Sequence, residues 1–219
     1  MRTKALVAVR AGSQRVKNKN IRPFADSSLL EVKLNQLLRI SGLDGVVVNS
    51  DDDKMLEIAG KMGCETIKRD AYYASNEVSM SEVYKYMAEK MDTDIIAYIN
   101  VTNPLIKDET LIQALTEFEK KYRKGECDSL NSAHLIKEFM FRDGKPLNYD
   151  LKNQPRSQDL PDIAALNFAV NILPKQTMIE CKNVVGTRPH LFLIDEVEAT
   201  DIDNMIDFEF AEYLYKKGI

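Results

Sequence analysis

Apolar and polar residues alternate along the chain in two distinct rhythms. Residues 4–10 read Lys-Ala-Leu-Val-Ala-Val-Arg, a short run rich in β-formers that predicts a buried strand. From 29 to 40 the apolar positions 29, 30, 34, 37 and 38 recur at helical spacing. The alternation continues with a strand at 46–48, a helix at 55–62, a strand at 65–67, a helix at 79–91, a strand at 95–99 and a helix at 109–122. Short strands alternating with helices predict βαβ units, hence an α/β fold with a mostly parallel sheet flanked by helices.

That rhythm breaks between residues 132 and 174, where short extended pieces are punctuated by turn signals at 142–145, Pro146, Pro155 and Pro161. Asp143-Gly144 predicts the tip of a hairpin. This stretch reads as an arm or flap inserted in one domain spanning 1–219, rather than as a second core. The sheet resumes at 191–194, and a helix over 204–217 closes the chain with Lys216 and Lys217 in its last turn, where cations suit the helix dipole.

Composition narrows the class. With 44% apolar and 29% charged residues, the chain of 219 residues has the make-up of a single globular domain. Its apolar runs fall far short of the roughly 18 residues of a membrane span, and no secretory leader is expected from residues 1–25. Cys64, Cys127 and Cys181 are odd in number and far apart, which predicts neither a disulfide framework nor a zinc site and fits the cytoplasm. Net charge is −4, but its distribution is uneven. The first 25 residues hold seven Lys/Arg and no acid, whereas residues 195–212 hold eight acids and no Lys/Arg. A local cation cluster in an acidic chain predicts a small anionic ligand rather than a nucleic acid, although a solvated face would carry the same charge.

Three segments carry candidate chemistry. Arg10-Ala-Gly-Ser-Gln-Arg-Val-Lys-Asn-Lys-Asn20 leaves the first strand with a glycine turn and several cations, the make-up of a phosphate cradle. It is neither a Walker A loop nor a dinucleotide fingerprint, and an exposed basic loop is the plain alternative. Asp201 and Asp203 flank one residue of an extended segment and project to one side, which suits a divalent cation shared with a triphosphate. Asp203 has a second reading, as the cap of the helix beginning at Asn204. Asn100, Thr102 and Asn103, with Pro104, end a strand in polar groups that line a cleft or merely form a turn. A nucleoside triphosphate with Mg²⁺ would need both the cations and the carboxylates.

Taken in order, these segments resemble the CMP-sugar cytidylyltransferases, the family of the acylneuraminate cytidylyltransferases. The family's opening A-R-G-G-S-K-R-x-P-x-K-N-I is similar to Val9-Arg-Ala-Gly-Ser-Gln-Arg-Val-Lys-Asn-Lys-Asn-Ile21. Its S-T-D resembles Asn49-Ser-Asp51, and its Arg with A-x-x-A-S resembles Arg69 and Ala71-Tyr-Tyr-Ala-Ser75. Asn100-Val-Thr-Asn-Pro-Leu105, Arg156-Ser-Gln-Asp-Leu-Pro161, Asn167-Phe-Ala-Val-Asn-Ile172 and Ala199-Thr-Asp-Ile-Asp203 follow in register with later family motifs. The resemblance implies a nucleotide-diphospho-sugar transferase-like sheet, an arm that builds a homodimer, and Mg²⁺-dependent transfer of CMP from CTP to an acidic sugar, releasing pyrophosphate. It implies that Arg10, Ala11, Gly12, Ser13 and Lys19 hold the triphosphate, that Asn20, Arg69 and Ser75 hold the nucleoside end, and that Asp201 and Asp203 hold the metal. Arg10, Lys19 and Asp201 would be catalytic. Asn100, Lys137, Arg156, Gln158 and Asn167 would meet the acceptor, Lys137 in the partner subunit's site.

The chain departs from the pattern mostly at the acceptor end. Gln14 stands for a lysine, Lys17 for a proline and Asn100 for a glutamine. Phe168 stands for a glycine, Asn171 for a tyrosine, and Val184-Val185 fall where the family often has an aromatic pair. These departures predict an anionic acceptor other than N-acetylneuraminate. A 3-deoxy-octulosonate or a phosphonate remains open as acceptor, as do a glycosyltransferase with a D-x-D site and a non-catalytic nucleotide sensor.

Overall fold

Strands that are apolar on both faces need cover on both faces, and the helices supply it. The computed structural model describes residues 1–75 and 77–219. In chain order the strands are β1 (Thr3–Ala8), β2 (Pro23–Phe24), β3 (Ser27–Ser28), β4 (Val46–Ser50), β5 (Glu65–Lys68), β6 (Ile95–Ile99), β7 (Ser129–Ile136), β8 (Phe141–Arg142), β9 (Lys145–Pro146), β10 (Ile163–Pro174) and β11 (Pro189–Leu193). The helices are α1 (Leu29–Leu37), α2 (Asp53–Lys61), α3 (Ala71–Ala74), α4 (Met80–Lys90), α5 (Asp108–Arg123), α6 (Lys175–Cys181) and α7 (Met205–Lys217).

Seven strands form one sheet in the order β11-β7-β10-β6-β1-β4-β5. All neighbours are parallel except β10, which runs antiparallel to both β6 and β7. Side chains alternate across it: Ala5, Val7, Val46, Val48, Ile95 and Ala97 pack with α1, α2 and α5 on one face. Leu6, Val47, Ile96 and Tyr98 pack with α4 and α6 on the other. Most of these helices begin at a residue whose side chain caps them. Ser28, Asp52, Asp70 and Ser79 each accept a backbone N–H of the first turn they precede.

The stretch expected to be an arm contributes two long strands to the sheet, and only residues 137–162 stand outside it. The expected hairpin is present as β8 and β9, with Asp143 at φ 53° and Gly144 at φ 75° between them. What hid β7 and β10 is their polarity. Ser129, Asn131, Ser132 and Asn171 are fully buried, which apolar periodicity does not anticipate. They bond to one another across the strands. Asn131 Nδ2 donates to Asn171 Oδ1 at 2.9 Å and to the Val184 carbonyl at 2.7 Å. Ser132 Oγ donates to Asn167 Oδ1 at 2.5 Å and accepts from the Val170 amide at 3.0 Å.

The register of β10 shifts between Leu166 and Asn171, a bulge in which Phe168 holds φ 56°. A left-handed backbone costs a non-glycine residue about 1–2 kcal/mol, a cost a glycine at this place would avoid. Asn171 Nδ2 steadies the bulge by donating to the Phe168 carbonyl at 3.1 Å.

Asn131→Ala would leave Asn171 Oδ1 and the Val184 carbonyl buried without that donor. We expect a stability loss of about 2–4 kcal/mol in urea unfolding, because a buried polar group stripped of its partner keeps its desolvation cost.

Candidate active site

The basic loop and the acidic segment, nearly two hundred residues apart, meet over a third apolar cluster. Val16 of the basic loop, Leu105 after β6, Ile202 between the two aspartates and Phe208, Ala211 and Leu214 of α7 pack together with Phe24, Leu29 and Val32. Asn103 adds a polar tether, its Nδ2 donating to the Thr200 carbonyl at 3.1 Å. The Ile202 amide donates to the Thr102 carbonyl at 2.9 Å, as in an added strand pairing. These contacts place the acidic segment against the carboxyl ends of β1 and β6, the usual ligand side of such sheets.

Between the two segments lies a cleft of about 510 Å³ lined by Arg10, Gly12, Ser13, Gln14, Arg15, Lys19, Asn20, Asn100, Thr102 and Asp203, among others. Gly12 has φ 76° and open space where a Cβ would stand, so the loop can turn there and expose its backbone. The Ala11 amide donates to Asp51 Oδ1 at 3.0 Å, so Ala11 anchors the loop and its N–H is occupied. Lys19 begins a 3-10 turn (Lys19–Ile21), and its Nζ donates to the Ile202 carbonyl at 2.5 Å. Arg15 pairs with Asp203 at 2.8 Å. An anionic ligand entering the cleft must compete for these cations.

A second cleft of about 400 Å³ shares Ala8, Val9 and Arg10 with the first and adds Arg69, Tyr73, Ser75, Val78, Met80, Val83, Met87 and Tyr98. Apolar walls with one buried cation suit a flat heterocycle. Arg69 is 6% exposed and held by Asn49, its Nε donating to Oδ1 at 2.6 Å and its Nη2 to the carbonyl at 3.0 Å. Burial lowers its pKa, opposed by Tyr98 and Asp51.

The charges in the first cleft hold one another in tension. Burial lowers the Lys19 pKa, while Asp201 and Asp203 act to raise it. Asp201 opens to solvent, yet the protein packed beneath it strips hydration, and this raises its pKa; Asp203 adds to the rise, and a hydrogen bond from Thr102 opposes it. Asp203 does not cap α7. Asn204 does so, accepting from the Ile206 and Asp207 amides, while Asp207 closes a capping box. That removes the alternative reading of Asp203, whose carboxylate is paired with Arg15 instead. Among the described residues no cluster of three or more His, Cys, Asp or Glu could enclose a metal. Two carboxylates beside a cation-lined cleft fit Mg²⁺, which commonly takes one or two carboxylates and completes its shell with phosphates and water.

A family model described as cytidylyltransferase matches residues 4–148, about two thirds of the chain. This chain belongs to the cytidylyltransferase family. It is therefore a nucleotidyltransferase by descent. Similarity to individual proteins runs almost end to end. The post-translational flagellin modification protein B of Campylobacter coli is 26% identical, over 96% of this chain and 94% of that protein. A pseudaminic acid cytidylyltransferase of Campylobacter jejuni is 25% identical, over 99% of this chain and 97% of that protein. A solved CMP:2-keto-3-deoxy-manno-octonic acid synthetase complexed with CTP superposes over 100% of both chains at TM-score 0.71 with 11% identity, which establishes the shared fold.

Of the residues expected from the sequence, Arg10, Gly12, Ser13, Lys19, Asn20, Asn100 and Asp203 line the first cleft and Arg10, Arg69 and Ser75 the second, with Asp201 beside Lys19. Lys137, Arg156, Gln158 and Asn167 line neither. Lys137 Nζ is held by the Leu160 carbonyl at 2.6 Å and Asp162 at 2.5 Å, and Arg156 pairs with Asp159. Gln158 is exposed in a 3-10 turn, and Asn167 is engaged with Ser132. Two expected acceptor walls are corrected: Asn171 and Val184 are at most 1% exposed, because they belong to the buried seam, whereas Phe168 is 36% exposed. The sequence reading assigned no role to Asn49, Asp51 or Arg15. The first two sat in a matched motif, and Arg15 is one cation among several.

For Asp201, a folded pKa above the unfolded one means stability that is present below the unfolded pKa and lost as pH rises through the folded one. Asp201→Asn removes that loss. We expect a higher unfolding temperature than wild type at pH 7 without metal, with the difference vanishing below about pH 3, read by calorimetry at both pH values.

Proposed function

We propose that the protein transfers CMP from CTP to a nonulosonate-like acidic sugar, with Mg²⁺, releasing pyrophosphate. The carrying observation is the facing of Lys19, Arg10 and Arg15 against Asp203 across one cleft, with Asp201 beside Lys19 and a second cleft next to it that suits a base. The relative named for pseudaminic acid, similar over 99% of the chain, supports an acidic sugar as acceptor.

In this reading the base enters the second cleft, where Arg69 and Ser75 meet its polar edge and Tyr73 and Met87 its faces. The triphosphate lies along Gly12 and Ser13, with Arg10 and Lys19 on its oxygens and Arg15 released from Asp203. The acceptor hydroxyl oxygen attacks the α-phosphorus in line. The new P–O bond forms as the bond to the β-phosphate oxygen breaks, pyrophosphate carries off the electron pair, and the hydroxyl proton passes to water. The protein contributes alignment and charge stabilisation rather than covalent chemistry. Asp201 and Asp203 would hold the Mg²⁺, which when bound neutralises phosphate charge and lowers the acceptor hydroxyl pKa.

The arm completes the proposal. Residues 137–162 expose Phe139, Phe141, Leu147 and Leu151 on and beside the β8–β9 hairpin, apolar surface that suits a second copy. We place Lys137 and Arg156 at the acceptor carboxylate of the partner subunit, each exchanging its present aspartate for that ligand.

Pyrophosphate release from CTP over a panel of acidic acceptors tests the reading. Lys19→Ala is expected to reduce kcat/KM by about 100-fold or more with the fold intact by circular dichroism. Phe141→Glu with Leu147→Glu is expected to yield monomers that bind CTP yet fail to transfer, read by light scattering and turnover. Unchanged CTP affinity and turnover in Lys19→Ala would remove the cradle assignment. Efficient use of N-acetylneuraminate would remove the expected change of acceptor.

A further inference from the structure

The turn after β6 holds the acidic segment from one side, and a lysine lies on its other side. Lys33 of α1 is 0% exposed. Lysine is rarely buried so completely, because its ammonium then loses its hydration. Its Nζ donates to Gln36 Oε1 at 2.7 Å and to the Asn103 carbonyl at 3.0 Å. Gln36, itself buried, donates to the Ile106 carbonyl at 2.7 Å and to Asp108 Oδ1 at 3.0 Å. Lys33 and Gln36 thus grip both ends of the 103–106 turn from beneath. The charged groups that bear on the amine are Asp108 of α5 and Arg39 beyond α1, which pair with each other at 2.6 Å. Burial pushes the ammonium pKa down to about 7, opposed by Asp108.

From the other side, the same turn bonds the Thr200 carbonyl through Asn103 Nδ2 and the Ile202 amide through the Thr102 carbonyl. Core filling alone does not account for a lysine here. An apolar side chain of similar volume would fill the space without desolvating an amine, but it would leave Gln36 Oε1 and the Asn103 carbonyl without this donor. What the amine adds is direction, since it fixes the Asn103 carbonyl, at the end of the turn that Gln36 does not reach.

We propose that Lys33 is a positioning residue for the Asp201–Asp203 pair, acting through Gln36 and the Asn103 backbone and touching neither nucleotide nor metal. The inference rests on the reading of that pair as metal-holding.

Lys33→Met keeps the side-chain volume and removes the amine. In the full-length protein without metal, backbone hydrogen exchange at Thr200–Asp203 is expected to speed up by about tenfold, since local opening there becomes easier. Binding of Mn²⁺ with CTP, followed by electron paramagnetic resonance, is expected to weaken by about tenfold, the usual size for outer-shell groups. In an Asn103→Ala background Lys33→Met adds nothing further, because the downstream tether is already cut. Gln36→Met is the second variant, expected to speed the same exchange should Lys33→Met fail to fold. Unchanged exchange in the folded variants, or a full additive effect in the Asn103→Ala background, overturns the proposal. Wild-type protein that binds no Mn²⁺ with CTP would sink the metal reading, a result distinct from the exchange that decides the tether.

Discussion

The apolar cluster under the loops is the contact on which the site depends. Val16, Leu105, Ile202 and Phe208 come from four separate parts of the chain and exclude water together. That burial holds a basic loop and an acidic segment at a common distance even once a ligand has neutralised them. Attraction between exposed charges is weak in water and screened by salt, whereas the apolar contact is insensitive to both. Ile202 illustrates the division of labour: its side chain is buried while the residues on either side are exposed carboxylates.

The polar interior serves a related end. Asn49 holds Arg69, Asn103 holds Thr200, and Asn131 holds Asn171, each wholly buried at the boundary between the sheet and its loops. A hydrogen bond has a direction that an apolar contact lacks. A buried bond that is broken also costs more than one at the surface, so such bonds select one arrangement of the chain. Lys33 extends this set with a charged group, placed where the turn it grips also carries the acidic segment.

The residues that depart from the resemblance are not all of one kind. Two of the residues that depart from the family pattern, Asn171 and Val184, belong to the seam between β7, β10 and the 184–185 segment. Changes there alter how the sheet is held rather than what lines a pocket. Phe168 is the exception, an exposed ring on a left-handed bulge. Side chains are held in such strained backbone chiefly where the surroundings over-determine them, often at ligand sites.

Most of the sheet was legible in the pattern of residues: β1, β4, β6 and β11 and the helices α1, α2, α4, α5 and α7 follow from periodicity, because their burial is apolar and regular. The cations at the amino-terminal end and the paired aspartates were legible as chemistry, because charge and spacing are local properties. β7 and β10 were hidden, since their buried asparagines and serines are paid for by partners forty residues away. The capping of α7 by Asn204 in place of Asp203, the occupation of the Ala11 amide by Asp51 and the grip of Lys33 on Asn103 were equally out of reach. Each is a choice among several locally acceptable partners. Sequence order ranks local partners by type alone, and folding ranks them by which donor and acceptor are left together when the core closes.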